Sequence, residues 1–305
     1  MTIFPTRILF ASDGSEDSEL AATTAVGLAK ITSSELHLLH VAPAFPDYFE
    51  PSDPGPGPTE REGRRTLDEQ IKKIENVGGA VAQSHLRMGG AAEEAIDLSE
   101  ELKTGLIVLG SRGRGRIRRA LMGSVSDSVV RHAHCPVMVV RWKPVVFPAK
   151  ILLATDGSEE AVLAAQSAAD LAARTGSELH VAHVGKLLSQ GGVGVKQRYV
   201  GAEVDPLPPG YQEALDKESK ELLEAQLARV GEAGVTVTEA HLVSGRADEE
   251  IIFLAEGVGA DLVVVGSRGL GGIRRARLGS VSDSVVRHTH CPVLVVRREG
   301  LQEPV

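Results

Sequence analysis

The length, composition and charge of the chain are typical of a globular protein with two domains. Its 305 residues are about twice the size of a common domain, and 42% hydrophobic with 24% charged residues exclude general disorder, collagen and a membrane bundle. A formal net charge of −8 argues against a protein that lies along nucleic acid, and neither a leader peptide nor an apolar run of membrane-spanning length is evident. We therefore expect a cytoplasmic protein with no nucleic-acid or membrane partner, whose two cysteines are buried thiols.

The predicted elements begin with a strand, a helix and a second strand. RILFAS is a short apolar run, and Leu20, Thr24, Leu28 and Ile31 then recur at helix spacing. ELHLLHV predicts the second strand. The loop that follows, APAFPDYFEPSDPGPGP, contains too much proline and glycine for a packed element, which predicts either a lid or a solvated spacer.

The rest of the first unit continues this alternation. Leu67, Ile71 and Ile74 predict a second helix, and a third strand follows it. A third helix over residues 92–103 precedes GLIVLG, a continuously apolar strand of the kind that is buried on both faces of a parallel sheet. A helix from Ser124 and the strand CPVMVV complete the unit.

The same series of elements returns, so the chain is a tandem duplication. ILFASDGSE from Ile8 returns as ILLATDGSE from Ile151, at an offset of 143 residues. Of the 32 residues from Gly110 to Arg141, 26 are identical to those from Gly266 to Arg297, at an offset of 156. The change of offset predicts 13 extra residues around 185–210 in the second copy.

Alternating strands and helices joined by right-handed crossovers predict an α/β fold. We expect two tandem doubly wound domains, each a five-stranded parallel sheet with helices on both faces, over residues 1–143 and 150–305, with a linker of residues 144–149. Ligands of such sheets bind outside the carboxyl ends of the strands, where the strand order reverses. Functional residues are therefore expected after strands one, two and four.

The segment most informative about chemistry is GSRGRGRIRRALMGS, residues 110–124, which returns as GSRGLGGIRRARLGS, residues 266–280. It starts where a buried strand ends and finishes where a helix begins, and its glycines allow a ligand to approach backbone N–H groups. The helix N-terminus adds unpaired N–H donors and a positive dipole end, and the arginines add further donors. The segment therefore predicts an anion cradle for a phosphate ligand.

Two common nucleotide-binding templates do not fit this chain. Gly185 and Lys186 are followed by Leu187 and lack the upstream glycine of a Walker A loop. The first strand-to-helix turns read SDGSED and TDGSEE rather than GxGxxG. The sequence thus supports neither a P-loop NTPase nor a Rossmann dehydrogenase.

Together these features resemble a tandem universal stress protein of the ATP-binding branch, which is marked by G-x2-G-x9-G-[S/T]. The motif occurs twice, at Gly110, Gly113, Gly123 and Ser124 and at Gly266, Gly269, Gly279 and Ser280. With the Asp-Gly-Ser after each first strand and the closing His-x-His-Cys-Pro-Val, the resemblance covers nearly the whole chain except the loops after the second strands. It implies a fold similar to that of the adenine nucleotide alpha hydrolases.

The resemblance also implies an ATP site in each half, with Mg²⁺ as an optional companion of the nucleotide. The end of the first strand would line the adenosine side, the end of the second strand would meet the adenine, and the glycine motif would hold ribose and phosphates. The implied residues of the first half are Ala11, Ser12, Asp13, Val41, Gly110, Arg112, Gly113, Gly123, Ser124, Val125 and Ser126. Those of the second half are Ala154, Thr155, Asp156, Val184, Gly266, Arg268, Gly269, Gly279, Ser280, Val281 and Ser282.

Structural interpretations of the acidic residues stay open at this point. Asp13 and Asp156 would alternatively cap the first helices, since aspartate before a helix accepts N–H bonds. Asp127 and Asp283 fit a capping-box-like helix start, and we favour that structural interpretation for both.

The arginines of residues 112–119 form a dense basic stretch without the aromatic residues that nucleic-acid binding would require. Leu270 and Gly272 replace Arg114 and Arg116 in the second copy, which predicts a stronger attraction of polyphosphate to the first.

The pattern His-x-His-Cys, at residues 132–135 and 288–291, combines donor types that zinc uses, but it lacks a fourth ligand. We therefore favour a capping histidine and a buried thiol at both places.

The first functional hypothesis is an ATP-binding module of the stress response, in which nucleotide occupancy changes domain or subunit packing. The alternatives are a slow ATPase, or a nucleotidyl- or phosphoryl-transfer enzyme using Asp13 or Asp156, and a scaffold with empty pockets. By the resemblance, CPVMVV and CPVLVV would pair the two halves into a pseudo-dimer, and a homodimer is a further option.

Overall fold

The computed structural model describes residues 6–44, 57–113, 122–142, 148–185, 211–232, 234–270 and 278–298. The greater part of the predicted lid or spacer lies outside these residues, as do most of the linker, the extra residues around 186–210 and the arginines at 114–119.

Strands and helices alternate through the described part of each half, as the apolar pattern predicts. The first half consists of β1 (Arg7–Ala11), α1 (Glu16–Thr32), β2 (Glu35–Ala42), α2 (Pro58–Asn76), β3 (Gln83–Met88), α3 (Ala91–Glu101), β4 (Leu106–Gly110), α4 (Ser124–His132) and β5 (Val137–Val140). The second half consists of β6 (Lys150–Ala154), α5 (Glu159–Thr175), β7 (Glu178–Gly185), α6 (Tyr211–Glu232), β8 (Val237–Ser244), α7 (Ala247–Val258), β9 (Leu262–Gly266), α8 (Ser280–His288) and β10 (Val293–Val296).

Serines, and not the preceding aspartates, begin the first helix of each half. The Ser15 side chain accepts the backbone N–H of Ser18 at 3.3 Å, and Ser158 accepts that of Ala161 at 3.2 Å. Acidic residues fill the first turn of both helices, where they complement the positive end of the dipole. The first helices are therefore capped without using Asp13 or Asp156 as the N-cap.

The ten strands form one sheet in the order β3-β2-β1-β4-β5-β10-β9-β6-β7-β8. All pairs within each half are parallel, which confirms two doubly wound α/β units. The last strands of the two halves pair antiparallel, with Met138 opposite Leu294. In each unit the strand order reverses between the first and fourth strands, so the carboxyl ends of these strands face the crevice where a ligand is expected.

The core lies in two layers, one on each face of the sheet. Helices α1, α2, α5 and α6 cover one face with aliphatic residues such as Leu28 and Ile74. Helices α3, α4, α7 and α8 cover the other with residues such as Leu98 and Val285, and the buried Cys135 and Cys291 belong to this layer. The aliphatic strands are therefore buried on both sides, as parallel strands require.

Two arginines bind across the junction between the halves. Arg141, only 2% exposed, follows β5 and donates to the carbonyls of Val286 at 2.8 Å and Arg287 at 2.6 Å, at the end of α8. Arg297 mirrors it by donating to the carbonyls of Ala133, at 2.6 Å, and Val130. Burial lowers the pKa of Arg297 to about 10. Each half thus supplies the C-terminal hydrogen-bond donor for the last helix of the other.

Candidate functional site

A cavity opens at the carboxyl ends of the central strands in each half. The cavity of the first half has a volume of about 1080 Å³ and that of the second about 260 Å³, compared with roughly 300–1,000 Å³ for typical small-molecule sites. All eleven residues predicted for the first half line the first cavity, and all eleven predicted for the second half line the second. The structure therefore brings the predicted residues together in two separate places.

The start of α4 forms one wall of the first cavity, and the start of α8 occupies the same position in the second. Gly123 and Gly279 are the N-cap residues of these helices, and neither end has a side-chain cap bond. The first-turn N–H groups therefore lack the protein acceptor that capping side chains usually supply. Such an end attracts anions through its free donors and its dipole.

Two of the three motif glycines lie too close to other protein atoms to carry a Cβ without a local shift. A Cβ added to Gly110 would lie 2.7 Å from the carbonyl carbon of Asp17, so β4 could not approach the first turn of α1. A Cβ on Gly266 would meet the backbone of Glu160 at 2.9 Å. The second glycine lies against an aspartate, since a Cβ on Gly113 would be 2.5 Å from a carboxylate oxygen of Asp13. The corresponding Gly269 lies similarly against Asp156.

The third motif glycine has no such requirement. A Cβ added to Gly123 would come no closer than 3.4 Å to any protein atom, and one on Gly279 no closer than 3.5 Å, which are ordinary van der Waals separations. Both residues have φ of −73°, which any amino acid can adopt. Neither sterics nor backbone conformation within the described protein demands glycine here, although both positions line a cavity.

The first-strand aspartates organise the loops around the cavities. Asp13 Oδ1 accepts the N–H of Ser15 at 3.0 Å, and Asp156 Oδ1 accepts that of Ser158 at 3.0 Å. Asp156 Oδ2 also accepts the N–H of Leu270 at 2.8 Å, which joins the end of β6 to the glycine loop after β9. The carboxylates thus bind backbone N–H groups two residues ahead, an Asx turn rather than a helix cap.

In each half the predicted arginine and the serine two residues after the start of the last helix already bind other residues of the same half. Arg112 lies 3.2 Å from Asp17 Oδ2, and Arg268 lies 2.7 Å from Glu160 Oε1. The Ser126 hydroxyl donates to the carbonyl of Gly110 at 2.7 Å, and Ser282 makes the same bond to Gly266. These serines fasten the final helix to the end of the fourth strand, while the half-exposed arginines still line the cavities.

The first histidine of each His-x-His-Cys segment has a structural contact. His132 Nδ1 lies 2.8 Å from the carbonyl of Ser128, and His288 Nδ1 lies 2.8 Å from that of Ser284, one turn earlier in each helix. Both bonds lie at helix C-termini, where histidines stabilise the last turn.

One residue that the sequence does not place in either site reaches a cavity from a distant part of the chain. Arg287, on α8 of the second half, lines the first cavity beside Asp127 of α4. These residues belong to a ring of four charges in which Arg131 lies 2.6 Å from Asp283, and Arg287 pairs with Asp127. Asp127 and Asp283 thus connect the halves, and the repeated SVSDSVVRH could have suggested a reciprocal pairing.

The comparison with protein families agrees with this geometry. A model described as the universal stress protein family matches twice, over residues 5–141 and 149–297. The chain belongs to the universal stress protein family. A universal stress protein of Mycobacterium tuberculosis is 32% identical over 306 residues, covering 95% of this chain and 97% of that protein. One of Mycolicibacterium smegmatis is 31% identical over 302 residues, covering 95% and 96%.

Solved structures support the universal stress protein fold over the whole chain. The crystal structure of a universal stress protein from Archaeoglobus fulgidus has a TM-score of 0.68 at 24% identity and covers 98% of this chain and 99% of that one. A protein of Pseudomonas aeruginosa described as functionally unknown has a TM-score of 0.70 at 20% identity, covering 97% and 94%. Among the described helices, none combines the length and apolar character needed to cross a membrane.

Proposed function

We propose that this universal stress protein is a regulatory module of the stress response that binds an adenine nucleotide, ATP, in each half. The observation that carries the proposal is the free space at Gly123 and Gly279. A Cβ at any other motif glycine would lie within 3.0 Å of a protein atom, whereas a Cβ at these two would make only ordinary contacts, and both line a cavity at an uncapped helix N-terminus. A phosphate group in contact with the Cα atom would account for the missing side chain.

The remaining walls suit the other parts of a nucleotide. In the first half, Leu39, Val41 and Leu109 give the cavity an apolar side formed by β2 and β4. Flat, weakly polar adenine fits such a surface, and backbone groups at the strand ends would read its edge. Arg112 and Arg287 supply positive charge near the helix N-terminus, where the phosphates would lie.

The contacts of the aspartates favour a binding module over the enzyme alternative. A carboxylate that orients a metal ion or a water molecule needs a free oxygen directed at the ligand. Both oxygens of Asp156 accept backbone N–H groups, and Asp13 makes the equivalent bond to Ser15. We therefore assign Asp156 to loop organisation, extend the assignment to Asp13 through the repeat, and propose that Mg²⁺ is held by the phosphates of the nucleotide rather than by the first-strand aspartates.

The first experiment is to purify the protein without added nucleotide, denature it, and identify and count the released small molecules by chromatography and mass spectrometry. ATP at close to two molecules per chain would support the loaded module. Release of ADP or AMP would favour the enzyme. A protein that is empty and does not bind ATP in titration calorimetry would overturn the proposal.

Variants of the third glycine test its mechanism. Gly123→Ala and Gly279→Ala should each leave the folded structure intact and weaken ATP binding in their own half at least ~10-fold, equivalent to about 1.4 kcal/mol. The matched control is Gly231→Ala in α6, where an added Cβ meets no atom within 4 Å. Unchanged affinity in both cavity variants would contradict contact between the phosphates and these Cα atoms.

A further inference from the structure

Three potential metal-binding side chains meet at the outer edge of the second half. His180 on β7 and Glu239 on the edge strand β8 occupy opposite positions in the strand pair, and His241 lies two residues further along β8. His180 Nδ1 lies 3.1 Å from His241 Nε2 and 3.8 Å from Glu239 Oε2. His241 Nε2 lies 3.9 Å from the same carboxylate oxygen. Two imidazole nitrogens and a carboxylate oxygen therefore surround one point.

These separations are close to those around a bound zinc ion. Two donors at about 2.0–2.1 Å from a tetrahedral zinc ion lie about 3.3 Å from each other. The pair of imidazole nitrogens is within 0.2 Å of that value. The carboxylate needs to move a few tenths of an ångström, which the Glu239 side chain can do because 63% of it is exposed.

A second carboxylate favours the tautomer of His180 that metal binding requires. His180 is 4% exposed, and its Nε2 has no hydrogen-bond partner among the described residues. Glu178 Oε2 is the nearby charged group, 3.6 Å from that nitrogen. When Nδ1, which faces His241 and Glu239, binds a metal ion, the ring proton lies on Nε2, where this carboxylate stabilises it. Metal-binding histidines commonly have their other ring nitrogen fixed by a carboxylate in this way.

We propose that His180, Glu239 and His241 bind one divalent transition-metal ion, zinc being the expected occupant. Two imidazoles and one carboxylate match the ligand preference of zinc, and water would complete the tetrahedron on the exposed side of Glu239. The ion would join the edge strand β8 to its neighbour β7. Nothing in this proposal depends on nucleotide binding, since the cavity residue Val184 lies four positions along β7, roughly 13 Å at about 3.3 Å per residue.

The first half contains a natural comparison for this site. His37 Nδ1 lies 3.2 Å from His85 Nε2, and Glu35 lies 3.6 Å from His37 Nε2, so the histidine pair and its outer carboxylate recur. Gln83 lies opposite His37, in the place that Glu239 takes opposite His180.

The charge beside the histidine pair differs as well. The first half has Arg87 two residues beyond His85, and its positive charge acts on that ring. The second half has Val243 at the same distance from His241. With a neutral amide in place of the carboxylate and a cation nearby, the first pair offers a weaker site for a divalent ion.

The test uses the full chain after treatment with a chelator and removal of bound nucleotide. Zinc chloride is titrated at pH 7.5 and followed by calorimetry and by competition with a chromogenic chelator. We expect one high-affinity zinc ion per chain. Glu239→Gln, a substitution of an exposed side chain, should weaken binding at least 10-fold, and His241→Gln should abolish it. A wild-type chain that binds no zinc saturably, or a Glu239→Gln variant with unchanged affinity, overturns the proposal.

Creating a zinc site in the first half tests the same geometry by gain of binding. The double variant Gln83→Glu and Arg87→Val should raise the stoichiometry to two zinc ions per chain. A stoichiometry that stays at one would contradict the role assigned to the carboxylate.

Further variants identify the location of the ion. Binding should survive Cys135→Ser with Cys291→Ser, and the cobalt-substituted protein should show no thiolate charge-transfer band. Loss of zinc in the cysteine variant would assign the ion to the His-x-His-Cys segments and overturn the proposal. Binding should also survive Gly123→Ala with Gly279→Ala, which separates this site from the nucleotide cavities.

Discussion

At the scale of single residues, three glycines of one motif have three different neighbours. Gly110 allows the backbone of α1 to approach β4, Gly113 makes room for Asp13, and Gly123 leaves space in a cavity. The motif spacing alone predicts a phosphate loop but does not distinguish these tasks, because each depends on which distant segment comes to lie beside the glycine. Substitutions at the three positions should therefore fail in different ways.

Gly110→Ala should destabilise the fold directly. Its Cβ would lie 2.7 Å from a backbone atom of Asp17, which cannot move without shifting the first turn of α1. Overpacking of this kind costs about 1–3 kcal/mol of unfolding free energy. Gly231→Ala, in open space on α6, should instead stabilise by about 0.5–1 kcal/mol through helix propensity. Urea denaturation measures both, and an equal effect of the two changes would contradict the assignment.

At the scale of elements, the alternation of strands and helices and the starts of α4 and α8 were predictable from the sequence. Apolar runs mark the strands, and the boundaries at Ser124 and Ser280 follow from the glycines before them. The choice between Asp13 and Ser15 as helix cap was not predictable, since SDGSED offers both residue types. In the folded chain Ser15 caps the helix, while Asp13 Oδ1 accepts the backbone N–H of Ser15.

The histidine pair that joins β2 to β3 should make stability depend on pH. Burial, followed by the charges of His37 and Arg87, lowers the pKa of His85, whereas Glu101 acts in the opposite direction. Below pH about 6.5, the ordinary histidine pKa, His85 is protonated in the unfolded chain but stays neutral in the folded chain. The free energy of unfolding therefore decreases as the pH falls. The contribution of His85 to stability is fully present above pH ~6.5 and is lost as the pH falls through that value.

The corresponding measurement is the free energy of unfolding as a function of pH, with a chelator present. His85→Gln keeps a polar group beside His37 and should flatten the slope below pH ~6.5 relative to the wild type. A slope unaffected by the substitution would show that His85 does not titrate differently in the two states.

The junction at the end of α8 shows a different limit of sequence analysis. Arg141 stands in the sequence as an ordinary residue after an apolar strand, and only the antiparallel pairing of β5 and β10 brings it to the carbonyls of Val286 and Arg287. Arg141→Met would leave these carbonyls buried without their charged donor. We expect a loss of about 3 kcal/mol of unfolding free energy in urea denaturation.

Arg131→Met provides the comparison for Arg141→Met, because its ion pairs with Asp127 and Asp283 are partly exposed. Solvent screening limits its expected effect to about 1 kcal/mol. Equal effects of the two substitutions would contradict the distinction between the buried and the exposed contacts.

At the scale of the whole molecule, the two halves are similar in sequence but not equivalent at the junction. Arg287 of the second half lines the first cavity, whereas its counterpart Arg131 is absent from the described lining of the second. Hydrogen bonding to Asp283 raises the pKa of Arg287, so the guanidinium is charged at any working pH. The first site thus includes a positive charge from outside its own half.

This difference predicts that Arg287→Ala weakens nucleotide binding in the first half only. In a Gly279→Ala background, in which the second site is already weakened, the added change should lower the ATP affinity of the first site about 10-fold, because one charge-assisted contact to phosphate contributes roughly 1.5–3 kcal/mol, part of which screening removes. Arg131→Ala in the same background should change affinity less than about twofold, although it breaks the same kind of ion pair. Titration calorimetry at two salt concentrations measures both, since a direct contact with phosphate also makes binding more sensitive to salt. Equal losses for Arg287→Ala and Arg131→Ala would mean that the ring of charges acts only by holding the halves together, and that each half binds its nucleotide with its own residues.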